Sequence, residues 1–219
     1  MTKEVIFSCI LCLVFLVPIR AFSQEVMPSK RFSKGKISAP ELSEISGIIS
    51  SINNPGMFWV HNDSGDEANI YLIDSISELK TTYRLEGIQA VDIEDIAWVE
   101  LNGISHIVLA DIGDNIAQRK SISLYIFPID TIARASIKVK TLNFSGKARD
   151  AEAIFVDPLD KRFYLISKRE FNSTLYSAAI FESDSDHLTL NPMNSFPFTF
   201  ITGADISPKR DALVMKNLT

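Results

Sequence analysis

The chain has 219 residues, with 27 Asp and Glu against 22 Lys and Arg, a formal net charge of −5. This acidic balance excludes the basic footprint of a nucleic-acid binder and suits cations or neutral solutes. Its two cysteines, Cys9 and Cys12, sit in one N-terminal apolar run, so the remainder has no disulfide, thiolate metal site or cysteine nucleophile.

That run, "VIFSCILCLVFLVPI" from Val5 to Ile19, follows Lys3 and precedes "AFS", Ala21 to Ser23. A weakly positive start, fifteen apolar residues and small residues before Gln24 predict a signal peptide over 1–23, cleaved after Ser23. The alternative is a retained N-terminal anchor, although the run is short for a span. The expected protein is secreted or periplasmic, with no stable membrane span after cleavage. Without Lys3, Glu4 and Arg20, 20 basic residues face 26 acidic ones, a net charge of −6.

Residues 24–42 read as an N-terminal extension or a closing strand. Beyond them four short segments line up: "EISGI" (Glu44 to Ile48), "DIEDI" (Asp92 to Ile96), "DAEAI" (Asp150 to Ile154) and "GADIS" (Gly203 to Ser207). Their starts lie 48, 58 and 53 residues apart. A second strand-like run follows each: "MFWVHND", "HIVLADI", "FYLISKR" and "ALVMKN". Glu44 to Asp63, Asp92 to Asp111 and Asp150 to Arg169 are each 19 residues. Third strands carry Tyr71, Tyr125 and Tyr176, and fourth strands are expected at "TTYRLEG", "VKTLNFSG" and "SFPFTFI".

Four β-rich runs per unit of about fifty residues is the period of a β-propeller blade. The fold class expected is all-β, a propeller of four-stranded antiparallel blades at 43–90, 91–148, 149–202 and a partial 203–219. The half unit at the end reads as incompleteness at the C-terminus, since propellers close with about four to eight blades. A sandwich or a β-solenoid are the alternatives; neither accounts for a strict four-strand repeat of this length.

Antiparallel pairing brings the start of each first strand and the end of each second strand to one rim. In a propeller the first strand lines the central channel. One acidic set is Glu44, Asp92 and Asp150 with Glu94, Glu152 and Asp205; the other is Asn62, Asp63, Asp66, Asp111, Asp114 and Asn115. Residues two apart on a strand share a side, so Asp92 goes with Glu94 and Asp150 with Glu152. Several carboxylates at one mouth need a cation, and Ca²⁺ takes six to eight oxygen ligands. The metal candidates are Glu94, Glu152, Asp205 and Asp111. Zinc fits poorly, because His61, His106 and His187 have no paired spacing.

The turns "DSGD" and "DIGD" lack the length and terminal Glu of an EF-hand loop. Asp and Asn in such turns also serve simply by accepting backbone N–H bonds. His61 and Asp92 are the candidate bases, with a structural histidine at a strand end as the alternative for His61. Asn62, Asp63, Asp150, Lys168 and Arg169 are the candidate ligand contacts, the two cations replacing an acidic turn in the third unit. Trp59 and Trp98 read as packing residues.

The ordered set "HNDSGD", "DIEDIA", "DIGDN", "RDAEAIFVDP" and "ADISP" resembles bacterial, mostly exported, proteins of β-propeller fold without a settled activity. The resemblance covers about Ser43 to Lys209 and implies about two further blades. More distantly the pattern is similar to gluconolactonase-, paraoxonase- and strictosidine-synthase-like propellers. In those enzymes acids and asparagines of several inner strands hold a calcium ion that polarises an ester or lactone carbonyl. Glu94, Glu152 and Asp205 match that pattern, while Ser46 stands where the first blade would carry an acid. Two functions follow as expectations. One is a small-molecule or protein ligand bound at an acidic channel mouth with a divalent cation; the other is calcium-dependent hydrolysis of a small ester, lactone or phosphoester.

Overall fold

The computed structural model describes residues 33, 35–63, 65, 67–129, 132 and 137–218. The expected signal peptide and its cleavage site lie outside the described residues, as do residues 24–32 and 34 of the extension and Asp66 of the acidic set. No helix among the described residues is long and apolar enough to cross a membrane.

The chain from Ser33 onward is all-β. Strands β1 (Ile45–Ser50), β2 (Met57–Asn62), β3 (Asn69–Asp74) and β4 (Leu79–Arg84) form one antiparallel sheet in chain order. Next come β5 (Ile93–Leu101), β6 (Ile104–Asp111), β7 (Ile122–Pro128) and β8 (Lys138–Phe144), then β9 (Ala151–Val156), β10 (Phe163–Ser167), β11 (Ser173–Ala178) and β12 (His187–Phe196). These eight form a single sheet in the order β5-β6-β7-β8-β12-β11-β10-β9, because the outer strands β8 and β12 pair in parallel from His187 with Thr141 to Leu190 with Phe144. Its two end strands come back alongside each other, and the Ile154 amide donates to Asp95 Oδ2 at 2.7 Å. The sheet is thus a nearly closed, propeller-like ring of strands. A hairpin of β13 (Ile201–Ile206) and β14 (Leu213–Asn217) follows.

Strand burial tells which elements are sandwiched. β6 reads "HIVLAD" without alternation and is buried on both faces from Ile107 to Asp111, as a strand with packed neighbours on either side must be. β4 alternates instead, Leu79, Thr81 and Tyr83 inward and Lys80, Thr82 and Arg84 exposed. Three apolar layers result. Ile49, Trp59, Ile70 and Leu72 pack on Ile96, Ile107, Leu109 and Phe127. Val108, Leu124 and Ile126 pack on Ile154, Phe163 and Leu165, filling the eight-stranded sheet. Phe155 and Ile166 meet Ala204, Ile206 and Met215. Each fully buried Val, Leu, Ile or Phe in these layers contributes about 1.5–3 kcal/mol.

Asn102 (φ 52°) and Gly103 (φ 77°) turn the chain between β5 and β6, the two left-handed residues a tight hairpin needs. The described part of the extension, 35–42, forms no strand; Ile37, Ala39 and Leu42 lie against Val60, Tyr71 and Ile73.

The fourth strand of the third unit differs from expectation. "SFPFTFI" straddles the end of β12, a bend and the first residue of β13, while the strand itself begins eight residues earlier at His187. Its first half pairs with β8 and its second with β11, where the register shifts around Met193, beside Pro192. A proline lacks the ladder donor, so it sits at a bulge, and that break hides the strand from a pattern search.

Candidate functional site

Every first strand carries the same irregularity. The pairing skips one residue in β1, β5, β9 and β13, leaving Ser46, Glu94, Glu152 and Thr202 as the bulged positions. A bulge re-aims the side chain it releases. Here the first strands β1, β5, β9 and β13 stand side by side, so the bulges form a row at one rim. Thr202, not Asp205, occupies this position in the fourth unit. Asp205 lies three residues further on, exposed, with Oδ1 accepting from the Ile206 amide at 2.8 Å.

The rim between the first two units is acidic. β2 delivers Asp63 and the start of β5 delivers Asp92 and Glu94, and one carboxylate oxygen from each lies within 4.8 Å of the others. Oxygens bound to one Ca²⁺ at about 2.3–2.6 Å are at most about 5 Å apart, so the three carboxylates are close enough to share a divalent cation. Ser46 Oγ donates to Glu94 Oε2 at 3.2 Å and to the Glu94 carbonyl at 3.1 Å. Burial pushes Glu94 up to about 8, and Asp63 and Asp92 push the same way. Asp92 is raised as well, by burial first and then by Asp63, with Arg119 opposing. Burial and neighbouring carboxylates thus hold Asp92 and Glu94 toward the protonated form.

The rim of the third unit is built on the same register but carries its own cations. Lys168 pairs with Glu152, and both side chains are largely buried. Arg169 Nε donates to Asp150 Oδ2 at 2.6 Å and reaches Asn115 Oδ1 through Nη2. The Asp114 amide adds a bond to Asp150 Oδ1 at 3.0 Å. These acids therefore have neutralising partners within the chain.

Asp111 is saturated by donors. Its carboxylate accepts the amides of Val91 and Asp92 at 3.0 Å, Arg119 Nη1 at 2.8 Å and the Tyr125 hydroxyl at 3.0 Å. Asp114 Oδ2 accepts the Arg119 amide at 2.7 Å, closing the turn. Asn62 Nδ2 donates to the Glu41 carbonyl at 2.7 Å, tying the rim to the preceding segment. His61 is fully buried, with Nδ1 at 2.8 Å from the Asn62 carbonyl and Nε2 without a partner among the described residues. Burial lowers it to about 4, so the ring is neutral at pH 7.

Two glycines shape the site, and nothing in the composition marks them. A Cβ on Gly113 would lie 2.2 Å from Asp92 Oδ2 and 2.6 Å from Glu94 Oε1. A Cβ on Gly47 would lie 2.3 Å from His61 Nε2. The signal for Gly113 is its register: it stands two residues beyond Asp111, whose 19-residue partner is Asp92. Asp95, pushed up to about 8 by burial, was equally inconspicuous; it accepts the Ile96 and Ile154 amides and ties β5 to β9.

No protein-family model matches the chain, and no curated protein does. Among solved structures it is similar to an auxiliary nutrient binding protein from Bacteroides thetaiotaomicron, at 11% identity and TM-score 0.49 over 81% of this chain and 37% of that one. The Dos1 propeller is similar at 14% and 0.47, over 79% and 42%. A chain of a nidogen/laminin complex is similar at 11% and 0.49, over 79% and 56%. The chain thus spans between about a third and just over half of these structures' own lengths. With every score below 0.5, the sheets themselves carry the fold.

Proposed function

We propose that the protein is an exported β-propeller of four-stranded units that binds a divalent cation, Ca²⁺, at Asp63, Asp92 and Glu94, and through it a small-molecule or protein ligand at the acidic mouth. One observation carries the reading: three carboxylate oxygens from two strand ends converge within 4.8 Å, around a Glu94 whose carboxyl burial raises to about 8. Ca²⁺ needs more oxygens than three carboxylates offer, so water or a ligand completes its shell. Export rests on the leader at 1–23. The four-stranded unit rests on the first sheet and on the common bulge register.

A hydrolytic reading has one supporting observation. Asp92, itself a member of the cluster, is half-buried with its carboxyl raised, so it would serve as the base only where Asp63 and Glu94 hold the metal. His61 supports it less, being sealed under Gly47.

Calorimetric titration of chelated protein with Ca²⁺ tests the binding reading. Saturable binding that Asp63→Asn and Glu94→Gln weaken is expected; heats indistinguishable from dilution would sink it. Turnover of p-nitrophenyl acetate or a γ-lactone, abolished by Asp92→Asn, separates enzyme from binder.

A further inference from the structure

We propose that the cleft between residues 117–120 and 144–148 binds a small organic anion with a flat apolar body, an aryl carboxylate or aryl phosphate. The cleft has a volume of about 280 Å³, near the lower end for small-molecule sites. It opens where β6 and β8 end, at Asp111 and Phe144, on the same rim as the acidic cluster. Phe144 lines it and is held by an edge contact with the Tyr176 ring, centroids 4.9 Å apart at 80°. Ala117, Gly146 and Ala148 are small, so Phe144 is the one aromatic side chain among the described lining residues and a flat group suits it.

The polar side of the cleft is cationic. Arg119 and Lys120 both line it. Arg119 Nη1 is anchored on Asp111 Oδ1 at 2.8 Å and on the Gly113 carbonyl at 2.9 Å, so the guanidinium is pre-positioned. Its other nitrogens, and the Lys120 ammonium, have no hydrogen bond or ion pair among the described residues. Lys147 does not line the cleft but lies exposed in sequence between the lining residues Gly146 and Ala148. The nearest carboxylates are committed: Asp111 to four donors and Asp114 to the Arg119 amide. In a chain of net charge −5 such a basic pocket with an aromatic wall selects anions against the field of its surroundings. The assignment goes beyond the cation reading and does not depend on it.

Titration of the full chain in EDTA, followed by ligand-observed NMR, tests the inference with three probes: benzoate, phenyl phosphate and benzamidine. Saturable binding of at least one of the two anions is expected, and whichever is tighter identifies the head group. Benzamidine, the same ring with a cationic head, should bind at least tenfold more weakly. Lys120 is exposed, so Lys120→Glu should keep its melting temperature while losing at least fivefold in affinity for the anion; Ala148→Trp should fill the cleft and lose it too. Saturation by neither anion, benzamidine binding as tightly, or unchanged affinity in Lys120→Glu would each overturn the assignment. A chelated protein that binds benzoate but not Ca²⁺ would retain this site while removing the cation site.

Discussion

The second and third units solve one electrostatic problem in opposite ways. Both begin with acids two residues apart, Asp92 with Glu94 and Asp150 with Glu152, and both bulge at the second acid. Eighteen and nineteen residues after Asp150 the third unit offers Lys168 and Arg169, which neutralise its acids from within. The second offers Asp111 nineteen residues after Asp92, with Gly113 two residues further on, and its neighbour adds Asp63. The third rim pairs its acids with its own cations, whereas the second gathers three carboxylates close enough to share a divalent cation. A repeat duplicates geometry, while single turn residues decide whether a copy is structural or receptive.

The largest effect should come from making the third rim resemble the second. Lys168→Met leaves Glu152 buried without its partner and should cost about 3–5 kcal/mol of stability. Lys168→Met with Glu152→Met should recover most of that loss in a denaturant melt. Gly113→Ala comes next: the added Cβ collides with both acids and should cost about 1–3 kcal/mol and abolish Ca²⁺ heats, whereas Gly203→Ala, where a Cβ meets nothing within 4 Å, should be near neutral. Glu94→Gln should weaken Ca²⁺ at least tenfold, about 1.4 kcal/mol, whereas Glu152→Gln should leave Ca²⁺ affinity unchanged in the same titration.

The pH dependence is a further test, and its sign follows from which groups are buried. Glu94 is raised from 4.5 to about 8 and Asp95 from 3.8 to about 8. A raised carboxyl stabilises the fold fully below its unfolded value, and that contribution is lost as pH rises through the folded one. His61, lowered from 6.5 to about 4, acts oppositely: its contribution is present above 6.5 and lost as pH falls toward 4. Between pH 6.5 and 8 only the acids act, so thermal melts in EDTA should shift downward with pH. Glu94→Gln should flatten that slope, and Ca²⁺ should reverse it, because the ionised carboxylate is the ligand. A slope unaltered by Glu94→Gln would place the titration elsewhere.

Much of this was readable from residues alone, because strand patterns are local. The 19-residue spacing put Asp63, Asp92, Asp111 and Arg169 on one rim, since antiparallel neighbours of fixed hairpin length must end together. The spacing failed in the fourth unit, where "GADIS" imitates "DIEDI" but the bulge falls at Thr202. It also failed for β12, where Pro192 and a second pairing partner break the period.

What the sequence by itself determined is the all-β repeat, the acidic balance and the identity of the acids at each strand start. Only the tertiary structure decided which acids meet. Asp63 joins Asp92 and Glu94 because the β1–β2 hairpin packs alongside β5, which brings residues 29 and 31 positions apart within reach of one another. It also decided that Glu152 and Asp111 are already partnered, since ion pairing and hydrogen-bond saturation depend on distances of a few ångströms between separate turns. Charge is written in composition, but its neutralisation is a property of space.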